Sequence, residues 1–114
     1  MKLKNLIFSI LILSSSLYAL SPYVKGYKAY IRYVKRIPKH GIKAPELLKK
    51  LNVKNEESLE ELFKNNGKLL IEKTKQFNPK AAKGLEKIIE KGKLKELKTF
   101  LLKVLNGKVP LGCR

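Results

Sequence analysis

The chain has 114 residues, with 26 Lys or Arg against nine acidic residues, all of them Glu, and a formal net charge of +17 at pH 7. This length fits a single domain, and the charge favours an anionic partner such as nucleic acid, a lipid surface or an acidic protein. One Cys and one His are too few for an internal disulfide or for a zinc site built from such ligands.

The first predicted element is a signal peptide over residues 1–19. Lys2 and Lys4 precede the apolar run LIFSILIL, and the small-residue stretch SSSLYA follows it, which is the order of an export signal. The sequence therefore predicts cleavage after Ala19 and a bacterial protein that is periplasmic or secreted. Five cations between Lys25 and Arg36 weigh against export, because positive charge beside a hydrophobic segment tends to remain on the cytoplasmic side of the membrane. A retained signal anchor is the alternative, although the apolar run is far shorter than the roughly 20 residues of a spanning helix.

Apolar residues spaced three and four apart predict an all-α domain over residues 20–107, folded as a small bundle of about five to six short helices. Ser21, Asn55 and Asn78 are the expected N-caps, and Pro38 and Gly107 are expected to end the first and last helices. The predicted helices are 22–37, 45–51, 56–64, 68–77, 79–91 and 93–106. No strand is predicted, because alternating apolar runs and hairpin turns are missing. Residues 108–114 are predicted to form an irregular tail.

The first predicted helix separates tyrosines from cations. On a helical wheel of about 100° per residue, the aromatic and aliphatic residues of 23–37 share one side. This aromatic face comprises Tyr23, Tyr27 and Tyr30, with Tyr33 at its margin. The opposite side of the helix and the loop that follows it carry the residues predicted to bind an anionic partner. These residues are Lys25, Lys28, Arg32, Lys35, Arg36, Lys39 and Lys43.

Two interpretations of this helix are open, and they are compatible. In the structural one, the tyrosines pack on the other helices and the cations form a solvated exterior, because a tyrosine ring buries apolar area while its hydroxyl reaches water. In the functional one, the cations bind an acidic protein or an anionic lipid or glycan of the envelope, as basic amphipathic helices with aromatic residues do. Nucleic acid is disfavoured as a partner by the predicted export, the preponderance of Lys over Arg and the lack of a recognition motif.

The sequence thus predicts a small exported cationic binding or accessory protein, and two other functions stay open. The first is a secreted antimicrobial or toxin-like protein, which the charge and amphipathicity fit. The second depends on Cys113, because a single thiol in an oxidising compartment predicts an intermolecular disulfide or a reactive site. A disulfide-linked homodimer is the simplest outcome for Cys113, a mixed disulfide with a partner is the next, and a buried unreactive thiol is the alternative.

The sequence contains no residue pattern that indicates catalysis, metal binding or cofactor binding. His40 lies between Lys39 and Gly41 in a basic loop with no carboxylate nearby in the sequence, so no nucleophile and base are evident. Neither a C-x-x-C-H haem motif nor a Gly-rich phosphate loop occurs. The glutamates of 56–61 are interpreted as a solvated helix start, where the helix dipole favours negative charge. The chain is therefore predicted not to be an enzyme and to bind no metal or cofactor.

Overall fold

The computed structural model of the chain describes residues 21–107, which form an all-α bundle. Five α-helices are present in this range, with a π-helical turn at Ile31–Lys35 and no strand. The helices are α1 (Pro22–Tyr30), α2 (Ala44–Lys50), α3 (Glu56–Phe77), α4 (Pro79–Glu90) and α5 (Leu94–Leu105). The predicted signal peptide with its cleavage site and the predicted tail with Cys113 lie outside the described residues.

The predicted helix starts are confirmed by hydrogen bonds at three N-caps. The Ser21 hydroxyl accepts a hydrogen bond from the Val24 backbone N–H at 3.2 Å. Asn55 and Ser58 form a reciprocal capping box at the start of α3. The Asn78 side chain accepts from the Ala81 N–H at 3.1 Å and begins α4. Each cap satisfies backbone N–H groups that have no partner within the helix.

The end of the first helix differs from the prediction of a continuous α-helix to residue 37. The α-helix ends at Tyr30, and the Arg36 N–H donates to the Ile31 carbonyl, five residues earlier, at 3.1 Å. Pro38 disfavours the α conformation in the residue before it, so the chain leaves the helix near the predicted position. The wider turn was not predictable from residue types, because α and π turns use similar backbone angles and differ only in which carbonyl accepts.

Helix α3 is interrupted where the sequence predicts a helix end. Residues 64–67 leave the helical conformation, and Asn65, Asn66 and Gly67 all have positive φ, of 54°, 62° and 76°. Asn and Gly are the residues that adopt this left-handed region at least cost. The Asn-Asn-Gly sequence therefore divides α3 into two arms, 56–63 and 68–77. These arms correspond to the predicted helices 56–64 and 68–77.

The core lies between α1, α5 and the remaining helices, and Phe100 of α5 is fully buried in it. Gly26 sets the distance between α1 and α5, because a Cβ at this position would collide with the Glu96 carbonyl and with the Phe100 Cβ. Two helices can cross this closely only where one of them has no side chain. The first helix is thus part of the bundle and does not stand apart from it.

Candidate anion-binding surface

The aromatic face of the first helix packs against one residue of α5. The ring centroids of Tyr23, Tyr27 and Tyr30 lie 5.9, 5.8 and 5.5 Å from that of Phe100, at tilted angles of 40–50°. Aromatic pairs at such distances add to the stabilisation from area burial. Three of the four predicted tyrosines therefore hold the helix on the bundle, which agrees with the structural interpretation of this face.

Tyr33 lies apart from this cluster, within the π-helical turn. Its ring is half-buried, and the Arg32 guanidinium and the Lys91 ammonium each lie 5.8 Å from the ring centroid. Cations at this distance over a tyrosine ring are attracted by its negative face. Tyr33 therefore packs partly against the core and has two cations over its ring, which agrees with its marginal position on the wheel.

The cations of the first helix point to solvent because its other side is fixed in the core. Lys25, Lys28, Arg32 and Arg36 are exposed, and Lys35 is half-buried. The two predicted residues of the loop, Lys39 and Lys43, are also exposed. Lys39 has a left-handed backbone, with φ of 65°, and lines a separate depression that contains Glu46. The structure thus brings together the cations of the helix but places Lys39 beside a carboxylate outside that group.

None of the seven predicted residues is paired with a glutamate. In the part of the chain that the structure describes, two ion pairs occur: Lys64 with Glu61 at 2.8 Å and Lys98 with Glu60 at 3.4 Å. The hydrogen bond and the charge of Lys64 lower the pKa of the Glu61 carboxyl, and Glu61 in turn raises the pKa of Lys64. Both ion pairs use glutamates of the first arm of α3, so these pairs neutralise no cation of the first helix.

Three lysines of α4 lie beside the predicted binding residues, although the sequence did not indicate them as binding residues. Helix α4 packs against the π-helical turn, and an open groove of about 390 Å³ runs between them. We call it the basic groove. Its charged lining consists of Arg32, Arg36, Lys80, Lys83 and Lys87, and no carboxylate lines it. The spacing of three and four between the lysines of α4 was visible in the sequence, but nothing local indicated which helix they would face.

A glycine allows α4 to approach the π-helical turn closely. Gly84 is buried, and a Cβ on Gly84 would collide with the Tyr33 carbonyl. Gly84 lies within α4 and not at its end. The same role for Gly26 shows that a glycine inside a helix can mark a helix contact.

Among residues 21–107, no group of three or more His, Cys, Asp and Glu side chains is placed to hold a metal ion. Within the same range, no helix combines the length and the apolar character that crossing a membrane requires. His40 is exposed, and its carbonyl accepts a hydrogen bond from the Asn78 amide at 2.9 Å. This bond ties the basic loop to the start of α4.

Comparison with known proteins identifies no relative. No protein-family model matches the chain, and no curated protein or solved structure matches it significantly.

Proposed function

We propose that this chain is an exported accessory protein, without catalytic activity, that binds negatively charged partners of the cell envelope through its first helix. The observation that carries the proposal is the contrast between the two sides of this helix. Three of its four tyrosines are held against Phe100, whereas Lys25, Lys28, Arg32 and Arg36 are exposed with no carboxylate at ion-pair distance. Export rests on the predicted signal peptide, with cleavage after Ala19, and places the protein in the periplasm or outside the cell.

Uncompensated charge of this kind supplies binding energy to an anionic surface. Each Lys or Arg close to an anionic bilayer contributes about 1 kcal/mol, so the five cations of the first helix would contribute about 5 kcal/mol. An acidic protein offers a similar attraction, which also speeds association at low salt. The proposed partners are therefore an acidic protein or an anionic lipid or glycan of the envelope.

The packing of the tyrosines favours binding over membrane disruption. For the first helix to insert its tyrosines into a bilayer, Tyr30 and its neighbours would have to leave the core, where Tyr30 is fully buried. A lytic peptide keeps its apolar face free for lipid. The antimicrobial alternative is tested by dye release from vesicles, which the proposed function predicts to be absent. Action through Cys113 stays a prediction, which non-reducing gel migration of the envelope fraction tests.

The proposal is tested by cosedimentation with vesicles at low salt. The full chain is expressed, and the intact mass of the product reports whether cleavage follows Ala19. We expect the product to bind anionic vesicles and not neutral ones. The double variant Lys25→Gln/Lys28→Gln should bind more weakly than the control Lys68→Gln/Lys73→Gln, which removes the same charge from exposed positions in the second arm of α3. Equal binding by both double variants would contradict a role for the first helix.

A further inference from the structure

The basic groove concentrates positive charge from two distant parts of the sequence. Arg32 and Arg36 line one side, and three lysines of α4 line the other. All five side chains belong to exposed residues, and none of them is within ion-pair distance of a carboxylate in the described residues. Like charges held together raise the energy of the folded state. An anion between the two sides would remove this repulsion.

One lysine of α4, Lys80, is also poorly placed for the stability of its own helix. It lies in the first turn of α4, which contains no acidic residue. The positive end of the helix dipole lies at this terminus and disfavours cations there. Helix stability therefore does not explain Lys80, although it favours Lys87 in the last turn of α4.

The charge and the donor types indicate the class of anion. Arginine side chains donate two parallel hydrogen bonds to phosphate, and lysines neutralise its charge. A phosphate monoester carries about −1.5 to −2 charges near pH 7, whereas a carboxylate or a phosphate diester carries one. Five cations around one groove with no acidic residue therefore match a phosphate monoester best.

The open shape of the groove favours a partner whose surface displays many phosphate monoesters. A small free anion is held tightly where the site encloses it, and this groove is open to solvent between exposed side chains. Arg32 also lies on the exposed cationic side of the first helix, so the groove and that helix form one continuous basic surface. A lipid surface engages both at once, and multiple contacts raise the overall affinity without a tight single site.

The aromatic residues argue against nucleic acid as the occupant. Single-stranded nucleic acids gain much of their affinity from bases stacked on free aromatic rings. Tyr33, the aromatic residue of the groove, already has the Arg32 and Lys91 cations over its ring. The tyrosines of the aromatic face pack against Phe100. The groove thus offers charge without a free stacking surface.

We infer that the basic groove binds phosphate-monoester headgroups on an anionic lipid surface, and this inference rests on the proposed binding function. It is tested with phosphatidylcholine vesicles that contain either phosphatidic acid, a monoester, or phosphatidylglycerol, a diester, at equal zeta potential. Wild-type protein should bind the monoester vesicles about fivefold more tightly, as expected for roughly one additional charge interaction. The variant Lys80→Gln/Lys83→Gln/Lys87→Gln should lose this preference and bind the monoester vesicles about 100-fold more weakly.

The control variant Lys49→Gln/Lys68→Gln/Lys73→Gln removes three exposed charges that do not line the groove. It should keep the preference for the monoester, and thermal melts should show that both triple variants remain folded. If wild-type protein binds both anionic vesicles equally, or if both triple variants lose the same affinity, the groove inference is overturned while the proposed function stands. If wild-type protein binds no anionic vesicle at low salt, the inference and the lipid form of the proposed function both fail.

Two competition experiments identify the source of the phosphate. Inorganic phosphate at a concentration equal to the accessible phosphatidic acid should not displace the protein from vesicles; displacement would overturn the lipid surface in favour of a free-anion site. Duplex or single-stranded DNA at equal phosphate concentration should also leave the vesicle-bound fraction unchanged. If DNA displaces the wild-type protein and binds it more tightly than it binds the triple α4 variant, the groove is a nucleic-acid site and the lipid inference is wrong.

Discussion

The Tyr30 hydroxyl donates a hydrogen bond to the backbone carbonyl of Ile42, 2.8 Å away and twelve residues later in the sequence. Tyr30 is fully buried at the end of α1, and Ile42 is buried just before α2. This bond joins the basic helix to the loop that carries the other two predicted cations. A buried tyrosine hydroxyl therefore fixes the orientation of the candidate surface.

Replacing Tyr30 with Phe should destabilise the protein by about 1–3 kcal/mol, because the Ile42 carbonyl loses a buried partner. The measurement is urea unfolding followed by circular dichroism, with both midpoint and slope recorded. Tyr27→Phe is the matched control, since Tyr27 is only half-buried and no protein hydrogen bond of its hydroxyl is found in the described residues. It should change the free energy of unfolding by less than about 0.5 kcal/mol. Equal losses in the two variants would show that the hydrogen bond contributes nothing specific.

Gly26→Ala distinguishes helix propensity from helix packing by the sign of its effect. Propensity alone predicts a gain of about 0.5–1 kcal/mol, since Gly is a poor residue inside a helix. The collision of a Cβ with the Glu96 carbonyl predicts a loss instead, of about 1–3 kcal/mol or more. We expect the loss, measured by thermal or urea unfolding, and the same sign for Gly84→Ala. Lys28→Ala, at an exposed position of α1, is the control and should be nearly neutral.

Salt should stabilise this protein because its cationic surface is largely uncompensated. Raising the ionic strength from about 0.01 M to about 0.15 M shortens the Debye length from about 30 Å to about 8 Å and screens repulsion between the cations. We expect a gain of about 1 kcal/mol or more, which corresponds to a rise in melting temperature of about 4–8 °C. The triple α4 variant should show a smaller rise than the wild type. A melting temperature that is independent of salt would mean that repulsion in the folded state is negligible.

The Glu61–Lys64 pair gives a titration that can be followed by NMR. Lys64 lowers the pKa of Glu61 in the folded protein, through a hydrogen bond and through its charge. A carboxyl with a lowered folded pKa contributes stability above its unfolded pKa and loses that contribution as the pH falls through the folded value. Because both side chains are exposed, the contribution to stability is small. Lys64→Gln should raise the Glu61 pKa towards its ordinary value, as read from the side-chain carboxyl shift. No change in that pKa would disprove the pairing in solution.

The positions of helix starts and interruptions were predictable because short-range interactions decide them. Ser21, Asn55 and Asn78 cap their helices through bonds to residues three positions away. The left-handed conformation of Asn65 and Asn66 likewise follows from what these side chains tolerate. The separation of tyrosines from cations on the first helix was also readable, since it depends only on helical periodicity. The π-helical turn was missed because no residue pattern distinguishes it from a last α turn.

The sequence by itself determined an all-α chain with a strongly cationic first helix, because caps, periodicity and charge act within a few residues. Only the tertiary structure decided that Tyr23, Tyr27 and Tyr30 face Phe100, and that Lys80, Lys83 and Lys87 line the same groove as Arg32 and Arg36. These neighbours are separated by 44 to 77 residues and meet because Gly26 and Gly84 permit close backbone contact. Steric fit between distant segments has no local signature, so the groove emerges only when the helices are packed.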